Sequence, residues 1–123
     1  MQLSDINTIV LSGTLQGPPQ MHTLPGDNAP VCHMKLLCVK RFLNASCAEE
    51  ERSSLVNLVL YKDKTQLATS LATGDRIVVE GELTIRSTSR TSNSTTTEVT
   101  VQNLYQLSPQ AARTAINEVN NWG

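Results

Sequence analysis

Several short runs of apolar and β-branched residues, some alternating with polar ones at a period of two, recur along the chain, which is the pattern of β-strands. Residues 6–15 (INTIVLSGTL) are rich in β-branched side chains and predict a first strand, with Gly13 at a bend or a close approach. The Gly-Pro-Pro of residues 17–19 ends it, and Leu24-Pro25-Gly26-Asp27-Asn28 is a turn cluster. Residues 31–42 predict the second strand, with Cys32, Met34, Leu36 and Cys38 on one face and His33, Lys35 and Leu37 on the other. The polar segment 44–53, with its run Glu49-Glu50-Glu51, is expected to be a solvated loop. Residues 55–61 (LVNLVLY) read as a third and central strand.

The period then changes. Leu67, Ala68 and Leu71 recur at helical spacing and predict a short helix over 65–72, stopped by Gly74. Residues 76–86 form the fourth strand, with Gly81 at a bulge or barrel corner. Residues 87–97, nearly all Ser, Thr, Asn and Arg, predict a mobile hairpin loop, and 98–107 a fifth strand. Beyond Ser108 the spacing of Ala111, Ala112, Ala115, Ile116 and Val119 predicts a short helix in the tail. Five strands with a helix between the third and fourth is the order of an all-β OB-fold, a five-stranded Greek-key barrel. The expected organisation is one OB-fold domain over 1–107 and a C-terminal helix or tail over 108–123.

Length and composition agree with a single packed domain: 123 residues, 39% hydrophobic and 17% charged. No stretch approaches the ~20 apolar residues of a membrane span. The first residues carry neither a basic nor a long apolar segment, so the expected location is the cytoplasm, with an organelle as the alternative. The cysteines, Cys32, Cys38 and Cys47, are odd in number and lack CxxC spacing, which argues against a disulfide framework and a zinc site. No metal or cofactor is expected. No Ser-His-Asp or paired-carboxylate arrangement stands out, and Glu80 and Glu82, flanking a glycine, read as solvent-facing; an enzyme is not expected.

The net charge of −1 gives nucleic-acid binding no support, but local potential matters more than the sum. Lys35, Lys40 and Arg41 cluster, Lys62 and Lys64 flank a strand end, and Arg86 and Arg90 bracket another. Each could be an ordinary solvated cation; as a set on three adjacent strands they favour a groove.

The segments 7–15 (NTIVLSGTL), 58–62 (LVLYK), 67–86 (LATSLATGDRIVVEGELTIR) and 97–101 (TEVTV) resemble the bacterial single-stranded DNA-binding (SSB) family, in the family's order. The resemblance implies a non-catalytic protein that coats single-stranded DNA in replication, recombination or repair, usually as a homodimer or homotetramer. It places Phe42 and Tyr61 at positions where the family has base-stacking aromatics. At two further such positions this chain has Leu55 and Thr88, so weaker or shorter-footprint binding is expected. Together with the cations clustered along the sequence, this gives an expected DNA-binding set of Lys35, Lys40, Arg41, Phe42, Tyr61, Lys62, Arg86 and Arg90, with Arg52 and Lys64 as weaker candidates. The family's acidic, aromatic-ended tip is not matched by residues 118–123. These departures leave an alternative open: a protein-interaction module like the primosomal replication protein N family, binding DNA weakly and contacting replication or primosome proteins. Tyr105 reads as packing or interface, His33 as structural, and Trp122 as a helix-end anchor or a partner contact.

Overall fold

The computed structural model describes residues 3–87 and 95–107. Thr88, Arg90, Trp122 and the predicted tail helix lie outside the described residues. Six strands form the sheet: β1 (Ile9–Leu15), β2 (Gln20–Thr23), β3 (Pro30–Leu43), β4 (Glu49–Tyr61), β5 (Arg76–Ser87) and β6 (Thr95–Leu107). Their order is β1-β5-β6-β4-β3-β2, and a second pairing of β1 with β3 closes the ring. The closure needs only two residue pairs, Thr14 with Leu37 and Leu15 with Leu36. Strands β4 and β6 run parallel and all the others antiparallel. This is the predicted five-stranded OB barrel with one extra edge strand, β2.

Alternation fills the barrel. Cys32, Met34 and Leu36 of β3 meet Leu58 and Leu60 of β4, Ile77 and Val79 of β5, and Val99 and Val101 of β6, all buried in one cluster with Leu15. Two glycines make the tight curvature possible. A Cβ on Gly13 would run into the Leu37 carbonyl, and one on Gly81 into the Thr100 carbonyl. Gly81 also sits at the register shift of the β5–β6 ladder, the expected bulge.

Five expectations are corrected. The helix is a 3₁₀ helix over Lys62–Ala68, displaced towards β4 from the predicted 65–72. Its Thr65 hydroxyl donates to the Lys62 carbonyl at 2.7 Å, an i to i+3 bond that favours the tighter winding. Ala68 and Leu71 still plug the core as the spacing required, while Leu67 is exposed. Gly74 (φ +91°) therefore shapes the turn into β5, where its N–H reaches the Leu15 carbonyl, and does not stop the helix.

The 44–53 segment is mostly strand. Strands β3 and β4 run out together as a long arm, paired from Val31–Tyr61 to Leu43–Glu49. Asn44 ties the tip: its Oδ1 accepts from the Ser46 and Ala48 N–H groups, and its Nδ2 donates to Glu50. Solvent bathes both faces of such an arm, so the apolar alternation that marks a strand is missing. The 87–97 segment likewise gives its ends to strands, with Ser87 in β5 and Thr95 onward in β6. At the other end β1 begins at Ile9, not at residue 6. Before it, the Asn7 side-chain amide mimics a strand residue, exchanging two hydrogen bonds with the Leu83 backbone at 2.8 and 2.9 Å.

Candidate nucleic-acid interface

Strand parity sorts the predicted site residues onto two surfaces. On β3 and β4 the even positions face the barrel interior, so Lys35, Arg41 and Tyr61 lie on the outer face with His33 and Asn57. Lys40 and Phe42 have the parity of the core residues, but out on the arm, where no core remains. There Phe42 is half-buried and carries the Arg52 guanidinium 5.3 Å from its ring centroid, a cation–π contact. Phe42 is opposite Glu50 and Tyr61 opposite Val31. The eleven steps of β3 between those pairs span roughly 36 Å at ~3.3 Å per residue. The structure does not bring Phe42 and Tyr61 together.

It does assemble a row across four strands. Register places Thr84 of β5 beside Glu98 of β6, Glu98 beside Asn57 of β4, and Asn57 beside Lys35 of β3. A second row runs Thr100, Val59, His33 and Gln20. His22 lies opposite Val31, which is opposite Tyr61, and the His22 and His33 rings meet edge to face at 5.4 Å. Residues 16–20, leaving β1, rise beside this face and are pinned by the Gln16 N–H to the Lys35 carbonyl at 2.9 Å. Between them and the sheet lies a cleft of about 480 Å³, lined among others by Gln16, Gln20, His33, Lys35, Asn57 and Glu98.

The cations differ in what they can offer. Lys35, Lys40 and Lys62 are exposed, and Lys62 takes a left-handed φ of +55° where β4 turns off the sheet. Arg41 is loosely paired with Glu51 at 3.9 Å, both side chains well exposed, a contact that water and salt weaken. Arg86 is committed: its Nη2 donates to Glu98 Oε1 at 2.7 Å, and Glu98 is only 4% exposed. The other oxygen, Oε2, is buried and has no hydrogen-bond partner among the described residues. Arg90 lies outside the described residues.

Sequence reasoning missed Glu98, Asn57, Gln16, Gln20 and His22, and took His33 as structural. For His33 the signal was present, since it shares its strand face with Lys35. For the rest it was not, because only inter-strand register makes them neighbours. Tyr105, by contrast, is 60% exposed, so it is not packed within the barrel. Glu82 is exposed as expected and accepts from Gln102, whereas Glu80 is half-buried.

A closed barrel whose second and third ring strands carry His33, Lys35, Asn57 and Tyr61 on their outer face, flanked by the connection after β1, is an OB-fold. The profile of the Single-strand binding protein family matches residues 6–107, and the chain belongs to that family. Among solved structures, a deletion mutant of the single-stranded DNA binding protein from Thermus aquaticus is similar, at 23% identity and a TM-score of 0.75. That likeness covers 85% of this chain but 52% of the other, so the present chain spans about half of its length. An SSB from Plasmodium falciparum, solved in complex with single-stranded DNA, is similar at 21% identity and a TM-score of 0.75, over 88% of this chain and 100% of that one. No curated protein matches the chain.

Proposed function

We propose that this chain binds single-stranded DNA along the outer face of β3 and β4, as a non-catalytic and broadly sequence-tolerant coat. The observation that carries the reading is the coincidence on that face of exposed Lys35, half-buried Tyr61 and His33, and a cleft walled by residues 16–20. In OB barrels this face and its flanking loops take oligonucleotides. The Plasmodium relative's bound DNA and the family match support the same ligand. Lys35 and Lys62 would neutralise phosphates, and Tyr61 would stack a base at about 1–3 kcal/mol. Phe42 and Lys40 form a second contact on the arm, with Arg41 on its opposite face, reached only by a strand that follows its length. Arg86 serves mainly to hold Glu98, and Arg90 is kept in the set on the clustering of cations along the sequence alone.

Self-association belongs to the reading. What supports it is exposed apolar surface on adjoining strands away from the cleft: Val10 of β1 (63% exposed) and Tyr105 of β6, with β5 between them. The work of such a coat lies where single strands arise, in replication, recombination or repair. Among the described residues no helix is long and apolar enough to cross a membrane.

The test is fluorescence anisotropy of labelled oligo-dT at low and moderate salt. Binding that falls as salt rises is expected, because neutralised phosphates release counterions. Absence of binding at low salt would refute the proposal and favour the protein-interaction alternative.

A further inference from the structure

We infer that Glu98 makes the cleft a base-reading pocket that prefers an amine-bearing base, cytosine being the simplest, over thymine. The inference rests on the single-stranded DNA reading above and narrows it. A carboxylate is an unexpected group at a phosphate-binding face, since it repels the backbone. Here it is also nearly buried, with one oxygen held by Arg86 and the other unpartnered among the described residues. A buried acceptor without a donor is costly, so a ligand that supplies one gains more than a surface hydrogen bond would give.

The neighbours decide what kind of ligand that is. Lys35, two strands away in the same row, offers a cation for a phosphate, and Asn57 between them offers both a donor and an acceptor. His33 lines the same cleft as a flat ring against which a base can lie. A nucleotide with its phosphate towards Lys35 would therefore turn its base edge towards Glu98. The amino group of cytosine is a donor to carboxylates. Thymine carries a carbonyl at the same place, which the carboxylate repels. Turning the Glu98 carboxylate about its last side-chain torsion, which is soft, moves both oxygens together, so presenting one to the base means re-forming the Arg86 bond through the other.

The experiment compares labelled oligo-dC and oligo-dT of equal length, by anisotropy, on the wild-type chain and on Glu98→Gln. The glutamine keeps an oxygen for Arg86 and can present an amide N–H₂ to the cleft, which suits a carbonyl. Wild type is expected to bind oligo-dC about five- to tenfold tighter, and Glu98→Gln to abolish or reverse that ratio. An unchanged ratio in the variant, or equal weakening on both oligomers, would overturn the inference while leaving single-strand binding intact. No binding to either oligomer would instead remove the function on which it rests. If Glu98→Gln does not fold, oligomers of N4,N4-dimethylcytosine test the wild type directly. They keep the ring but lose both amine donors, so the preference should vanish, and its persistence would count against the pocket.

Discussion

The separation of Phe42 and Tyr61 makes a sharp prediction about their energetic coupling. Replacing Tyr61 by Ala removes a half-buried ring on the outer face, and a lost base stack costs about 1–3 kcal/mol, or roughly 5- to 150-fold in Kd. Replacing Phe42 by Ala should cost about 1 kcal/mol, at the lower end of that range, because one face of its ring is engaged by Arg52. The two rings stand roughly 36 Å apart along β3 and on opposite pleat faces. Sites so far apart without shared partners add to within ~0.5 kcal/mol. Anisotropy titration of the two single variants and the double variant, on an oligo-dT long enough to follow the arm, gives the coupling. On an oligomer of a few nucleotides only the tighter contact should register, so one substitution should be silent. A coupling above about 1 kcal/mol, or equal losses on the short oligomer, would show that one continuous platform carries both rings and that the parity argument is wrong.

Other outcomes follow from the same structure. Lys35→Ala should lower the slope of log Kobs against log salt by about 0.7, the loss of one phosphate contact, which a titration series over salt measures. Gly81→Ala should destabilise the barrel by about 1–3 kcal/mol, because the new methyl group meets the Thr100 backbone; urea unfolding would detect it, and an unchanged midpoint would contradict the packing. Cys47 is exposed and should react first with an aromatic disulfide reagent, well before Cys32 and Cys38, whose thiols burial holds above their ordinary range. At alkaline pH the unfolded chain loses those two protons more readily than the folded one. Their contribution to stability is thus whole below the ordinary thiol range and shrinks as pH rises through it. Thermal melts across that range should show the decline lessened in a Cys32→Ala variant. Tyr105→Glu should shift sedimentation towards a smaller species without weakening binding of a short oligomer, if the Val10–Tyr105 surface is where copies meet.

Much of the barrel could be read directly from the chain. Period-two alternation in residues 9–15, 31–38 and 76–81 determines which side chains enter the core, because a pleated strand sends neighbours to opposite sides. Gly13 and Gly81 could be placed for a similar reason: a glycine inside a strand marks a backbone that comes too close for a side chain. Alternation fails where both faces meet water, so the first part of β4, residues 49–54 on the arm, and the edge strand β2 could not be seen in it, while the β3 side of the arm was read as strand to residue 42. The site was the least legible part. Parity on one strand already joined His33 to Lys35, but the row Thr84–Glu98–Asn57–Lys35 draws on four strands whose offsets no local pattern encodes. Those offsets are set by barrel closure, through the parallel β4–β6 pairing and the bulge at Gly81. Residue type and alternation thus determined what each strand buries, while only the closed tertiary structure decided which polar side chains became neighbours and which aromatic rings were kept apart.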